Sequence, residues 1–173
     1  MNIVSVDVAI IGAGTAGMSA YRAAREHTEK VVLIEAASYG TTCARVGCMP
    51  SKLLIAAAEV ARSVREANRF GVNTGQLVID GEAVMARVRN ERDRFVGFVV
   101  DTVNAWPDEH RLQGAARFLD AHRLQVGEHT IVEADRIIIA TGSHPVIPMG
   151  RACKTAGGNQ SQFLGDGKHV FSA

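Results

Sequence analysis

At 173 residues, with 47% hydrophobic and 21% charged side chains, the chain has the composition expected of a soluble globular protein, with room for one ordinary domain and not for a second full one. Its formal net charge of +1 is spread over interspersed Lys, Arg, Asp and Glu, which excludes a global field that would draw nucleic acid or an anionic membrane. No uninterrupted apolar run approaches the roughly 18 to 20 residues that cross a bilayer.

The first residues lack the basic start and long apolar run of a secretory signal, because Asp7 interrupts the stretch before Val8, so a cytoplasmic location is expected. Residues 6–11 read as a strand, 12–17 as a Gly-rich turn, 18–27 as a helix and 30–34 as a second strand. Both strands are continuous apolar runs, the pattern of parallel strands buried on two faces. A turn-rich stretch over 37–47 leads to Pro50, placed in the first turn of a helix whose Ala-rich body covers 53–68. Residues 81–104 form a further helix, with Val84, Val88, Phe95, Val99 and Val103 near the helical period. Its Arg-rich run over 87–94 alternates with Glu91 and Asp93 and reads as a solvated face. Trp106-Pro107 ends it. Three β-like runs follow, over 112–119, 122–126 and 130–140, whose order predicts a small antiparallel piece returning to the main sheet.

Gly12-Ala13-Gly14-Thr15-Ala16-Gly17 matches G-x-G-x-x-G between a strand and a helix, with Glu35 closing the next strand. The first Gly permits the tight turn, the second lets backbone approach a pyrophosphate, and the third lets helix and strand pack closely. The helix amino terminus then offers N–H groups and a partial positive charge to the phosphates. An acidic Glu35 suits ribose hydroxyls and disfavours a 2′-phosphate, so FAD or NAD is expected over NADP. The fingerprint does not separate those two.

Three cysteines in a reducing compartment point to chemistry or burial rather than to structural disulfides. Cys43 and Cys48 are separated by four residues in a turn that opens a helix, a spacing that can let two sulfurs meet while the helix amino terminus stabilises a thiolate near Cys48. A zinc site would need two further ligands, and no His or Cys pair of suitable spacing supplies them. Cys153 reads as a bystander. His27, His110, His122, His129, His144 and His169 show no ligand spacing and are expected in surface or capping roles.

The run Thr41-Thr42-Cys43-Ala44-Arg45-Val46-Gly47-Cys48-Met49-Pro50-Ser51-Lys52 resembles the redox-active segment of the pyridine nucleotide-disulfide oxidoreductases, G-G-T-C-x-x-x-G-C-x-P-S-K, and its ending is most similar to the dihydrolipoamide dehydrogenase branch. The resemblance implies FAD as cofactor, with Cys48 making a charge-transfer contact to the flavin. Cys43 would be the thiol that exchanges with a substrate disulfide, and Thr42 and Lys52 would lie at the cofactor. It extends to Ala140-Thr141-Gly142, similar to the family's A-T-G motif, and to Gly114-Ala115-Ala116, similar to the small-residue stretch passing the adenine end of FAD. Thr41 departs from the pattern, standing where the family carries its second Gly.

The implied fold is α/β, a Rossmann-like FAD-binding domain with a parallel central sheet and a small antiparallel β insertion. It occupies residues 1–148, followed by an atypical tail over 149–173 expected to be poorly ordered. The implied activity passes electrons from dihydrolipoamide, or another dithiol or disulfide, through the Cys43-Cys48 pair and FAD to NAD. The family's NAD-binding domain and homodimer interface domain have no counterpart in this sequence, as in a truncated or frame-shifted product, and Gly165-Asp166 is read as a coincidental echo of the family's later Gly-Asp motif. Neither a nucleic-acid nor a membrane partner is expected. The competing reading is a non-catalytic nucleotide-binding or interaction module that retains the Rossmann core. It has no need of both cysteines. An ordinary NAD-dependent dehydrogenase would leave the cysteine motif unexplained.

Overall fold

A computed structural model describes residues 2–143 of the chain. The expectations for the tail over 149–173, for Cys153, His144 and His169, and for Gly165-Asp166 lie outside the described residues. The structure divides into two compact units, residues 2–42 with 97–143 and residues 43–96.

The first unit holds the whole sheet. Strand β1 (Asn2–Ile11) leads through the Gly-rich turn into helix α1 (Thr15–Arg25) and then strand β2 (Val31–Glu35). Strands β3 (Arg111–Gln113), β4 (Ala116–Phe118), β5 (Arg123–Val126) and β6 (Thr130–Ile139) follow later in the chain. The sheet order is β3-β2-β1-β6-β5-β4. The pairs β3-β2, β2-β1 and β1-β6 are parallel, whereas β6-β5 and β5-β4 are antiparallel. The expected antiparallel piece is therefore present, but the run over 112–119 is not one strand. Gly114, with φ +153, breaks it, so that its first half extends the parallel sheet beside β2 and its second half pairs with β5.

Burial follows from composition. Val31, Val32, Leu33 and Ile34 are all buried, as a parallel strand covered on both faces requires, and each such side chain contributes about 1.5–3 kcal/mol. On one face Val8, Ile10, Val31 and Leu33 pack with Met18 and Tyr21 of α1 and with Val103. On the other, Ala9, Val32 and Ile34 share a cluster with Leu124, Val126, Val132 and Ala134. This cluster runs across four neighbouring strands, with β1 and β6 between β2 and β5.

Helix α1 starts at Thr15, three residues ahead of the expected position, so its first turn lies inside the glycine motif. Strand β1 starts at Asn2 rather than Val6, because the whole of it pairs with β6.

The second unit is helical. The turn-rich stretch contains a short helix, α2 (Thr42–Val46), whose first residue ends the first unit, and α3 runs over Cys48–Glu66 before a 3₁₀ turn at Ala67–Phe70. Helix α3 thus begins at Cys48, with Pro50 buried in its first turn, where a missing N–H costs no hydrogen bond. Helix α4 (Gly81–Asn104) contributes its first residues to this unit and its last to the sheet-bearing one. Met85 and Val88 are buried. The solvated face expected of its Arg-rich run needs one correction, since the Arg92 side chain is only 17% exposed. No helix among the described residues is long and apolar enough to cross a membrane.

Candidate functional site

In the first unit the chain leaves β1 towards β2 on one side, and β6 lies on the other. The carboxyl ends of β1 and β6 therefore flank a point where the strand order reverses, the place where open α/β sheets bind ligands. The Ala140 N–H donates to the Ile11 carbonyl (2.8 Å) and the Gly12 N–H to that of Ile34 (2.7 Å). Gly12 has φ +105, and a Cβ there would stand 2.3 Å from the Ala140 oxygen and 3.2 Å from the Thr141 Cα. A Cβ on Gly17 would stand 1.7 Å from the Gly12 oxygen. These two glycines are demanded by packing of the protein against itself.

Gly14 differs from both, because a Cβ there meets nothing within 4 Å. That open side is what a ligand-facing glycine requires. Gly14 is the N-cap of α1 and no side chain caps the helix, so the N–H groups of Gly14, Thr15, Ala16 and Gly17 have no intrahelical acceptor. Such a terminus fits the pyrophosphate of a dinucleotide.

Glu35 stands half-buried at the end of β2. Its Oε2 accepts from the Ala13 N–H (2.8 Å) and its Oε1 from the Ala37 N–H (2.9 Å). The Gly114 N–H donates to the Glu35 carbonyl (2.8 Å), and the Ala115 carbonyl accepts from the Gly127 N–H (3.0 Å). The structure therefore brings Gly12 to Gly17, Glu35, Ala115, Ala140 and Thr141 to one end of the sheet, with Gly142 following in the left-handed region at φ +72. Beside them is a cavity of about 510 Å³ lined by Ala36, Ala37, Ser38, Tyr39, Val100, Asn104 and Gln113. Gln113 reaches the Ala37 carbonyl through its side-chain amide (2.6 Å). These lining residues were missed in the sequence, since nothing there shows that β3 pairs with β2. A larger cavity, about 750 Å³ and lined by residues that include Ala20, Ala24, His27, Asp135 and Ile138, holds none of the expected site residues.

In the second unit Cys43 is half-buried in α2 and Cys48 is exposed at the start of α3; both are free thiols. Cys43 lies within hydrogen-bonding reach of the Cys48 side chain. The Cys43 thiol is pushed up from its ordinary value, first by that contact, then by burial and by charge on Cys48. The Cys48 backbone N–H and the Lys52 charge pull it down. Lys52 lies one helical turn beyond Cys48, on the same face of α3. The Ser51 hydroxyl donates to the Cys48 carbonyl (3.0 Å). The arrangement is a pair of neighbouring free thiols, which is what an S–S bond between them requires. Thr42, exposed, is the first residue of α2. Thr41 before it has φ +23, alone among the described non-glycine residues in being positive, so the backbone keeps a glycine-like conformation at the position where the motif departs from the family.

His110 corrects the expectation of surface or capping histidines. It is 8% exposed, with Nδ1 2.8 Å from the Tyr21 hydroxyl.

A family profile described as pyridine nucleotide-disulphide oxidoreductase matches residues 6–169. A mercuric reductase of Streptomyces lividans is 36% identical over 154 residues, covering 82% of this chain and 31% of that protein. A dihydrolipoyl dehydrogenase of Chlorobaculum parvum is 36% identical over 148 residues with the same coverages, and that of Bacillus subtilis is 32% identical over 147 residues, covering 80% and 31%. The chain thus spans about a third of the length of the curated relatives it matches. Among solved structures, the Cu(II) complex of the HOCl-induced flavoprotein disulfide reductase RclA from Escherichia coli superposes with a TM-score of 0.63 at 23% identity, over 86% of this chain and 31% of that one. At that identity the match speaks for the fold alone.

Proposed function

Because the chain belongs to the pyridine nucleotide-disulphide oxidoreductase family, we propose that residues 1–148 form the first segment of an FAD-binding domain serving a Cys43-Cys48 dithiol and disulfide couple. The observation that carries this reading is the pair of neighbouring free thiols, Cys43 in α2 and Cys48 at the start of α3, in a chain whose glycine loop has an open, uncapped helix terminus. FAD, when bound, supplies a two-electron acceptor. Oxidation of the dithiol releases two electrons and two protons and forms one S–S bond.

Roles follow from the family pattern. Gly12 to Gly17 hold the pyrophosphate, Glu35 the ribose, and Ala115, Ala140, Thr141 and Gly142 border the cofactor. Thr42 and Lys52 lie at the flavin, Cys48 is the thiol that faces it, and Cys43 is the thiol that exchanges with substrate. The exposure of Cys48 leaves its sulfur open to such a neighbour. For the whole enzyme we propose dihydrolipoamide as the dithiol, NAD as the final acceptor and a homodimer as the assembly. The mercuric reductases among the relatives make a metal-ion acceptor the alternative substrate at the same pair.

The test is the visible spectrum of purified protein reconstituted with FAD, recorded without oxygen before and after dithiothreitol. Flavin bands that gain a long-wavelength shoulder on reduction, lost in Cys48→Ser and kept in Cys43→Ser, are the expected result. A protein that takes up no FAD sinks the cofactor assignment. Bound flavin whose spectrum ignores both cysteines sinks the coupling.

A further inference from the structure

We propose that Glu35 is a positioning residue that latches the glycine loop into its phosphate-binding conformation before any ligand arrives. This rests on the reading of that loop as a dinucleotide site, and it adds to the sugar contact assigned to Glu35 above.

Ala13 is 2% exposed, so its N–H must find an acceptor inside the protein. It finds the Glu35 carboxylate at 2.8 Å, a charge-assisted bond between groups 22 residues apart in sequence. The preceding amide, of Gly12, is taken by the Ile34 carbonyl. The last two residues of β2 therefore fix the first two amides of the loop. The carboxylate is itself held, because its second oxygen accepts from Ala37 (2.9 Å) and the Ala37 carbonyl accepts from Gln113 (2.6 Å). With Ala13 pinned inward, the amides from Gly14 onward are left at the open side of the loop, where a Cβ on Gly14 would meet nothing. A loop fixed in this way loses less freedom on binding. Each carboxylate oxygen retains a lone pair, so a ribose hydroxyl can still be bound.

Two variants separate the latch from the sugar contact. Glu35→Gln offers one acceptor oxygen in place of two, and Glu35→Asp keeps the charge but withdraws it from Ala13. Residue-resolved amide exchange is measured on ligand-free protein, and binding is measured by calorimetry with inorganic pyrophosphate and with FAD. In the wild type, Ala13 exchanges slowly and Gly14 fast. In both variants Ala13 exchange quickens and pyrophosphate affinity falls, each by roughly tenfold, the loss expected for one hydrogen bond to a charged group. Removal of a negative charge by itself would tighten pyrophosphate, so weakening in Glu35→Gln isolates the latch.

Wild-type Ala13 exchange and pyrophosphate affinity in both variants, with only FAD weakened, would overturn the proposal and leave Glu35 a sugar contact. Should the wild type bind neither ligand, the dinucleotide reading fails, and the latch is judged on Ala13 exchange in ligand-free protein alone. Fast Ala13 exchange in the wild type overturns it without any variant, so misfolding of a variant leaves the test intact.

Discussion

A Cβ on Gly17 would stand 1.7 Å from the Gly12 carbonyl oxygen, whereas one on Gly14 would meet no atom within 4 Å. The same substitution at the two positions therefore separates packing from binding. Gly17→Ala must push the helix off the loop, and is expected to cost at least about 1–3 kcal/mol in urea unfolding. Gly14 has φ −76 and ψ −172, which alanine adopts freely. Gly14→Ala should leave stability within about 0.5 kcal/mol while FAD affinity falls, because the methyl fills the open side that the proposed function gives to phosphate. Equal stability losses in the two variants would remove the distinction. The motif was legible in the sequence down to these residues. The different reason for each glycine lies in the tertiary structure, where Ala140 stands against Gly12 and nothing stands against Gly14.

Between elements, Tyr21 of α1 ties that helix to the segment after α4. Its ring stacks on Trp106 with centroids 4.0 Å apart, and its hydroxyl lies 2.8 Å from Nδ1 of buried His110. Tyr21→Phe keeps the stack and leaves that nitrogen unpaired inside the protein, which costs about 1–3 kcal/mol; a urea midpoint unchanged from wild type would mean that the bond contributes nothing. His110 gives no sign of this role in sequence, because its partner is 89 residues away. A similar blindness explains the run over 112–119. Gly114 marks a weak point in the local β propensity, but that its two sides pair with different strands, β2 on one and β5 on the other, is set by the sheet.

For the molecule as a whole, the perturbed groups set how stability depends on pH. The Cys43 thiol is raised above its ordinary value of 9.0, and burial raises Tyr21 and Tyr39 above 10.0. Between the ordinary and the raised value, the native state holds a proton that the unfolded chain has lost, so stability falls as pH rises. The Asp120 carboxyl is held below its ordinary value, first by the His122 backbone N–H and then by Arg123. Its contribution is present at neutral pH and is lost as pH falls. Reduced protein should therefore start to lose stability near pH 9.0, and protein with the Cys43-Cys48 pair oxidised only towards pH 10.0, since a disulfide has no thiol to titrate. Parallel urea midpoints with and without dithiothreitol would remove Cys43 from the account. The sequence by itself determined the alternation of strands and helices, the glycine loop and the cysteine pair, because apolar periodicity, turn glycines and a short thiol spacing are local properties. Only the tertiary structure decided that Glu35 spends its carboxylate on Ala13 and Ala37, that Gln113 holds the Ala37 carbonyl, that Ala140 borders the loop, and that His110 is buried. Each of these depends on which strands lie side by side, and strand order is fixed by long-range burial that no local pattern encodes.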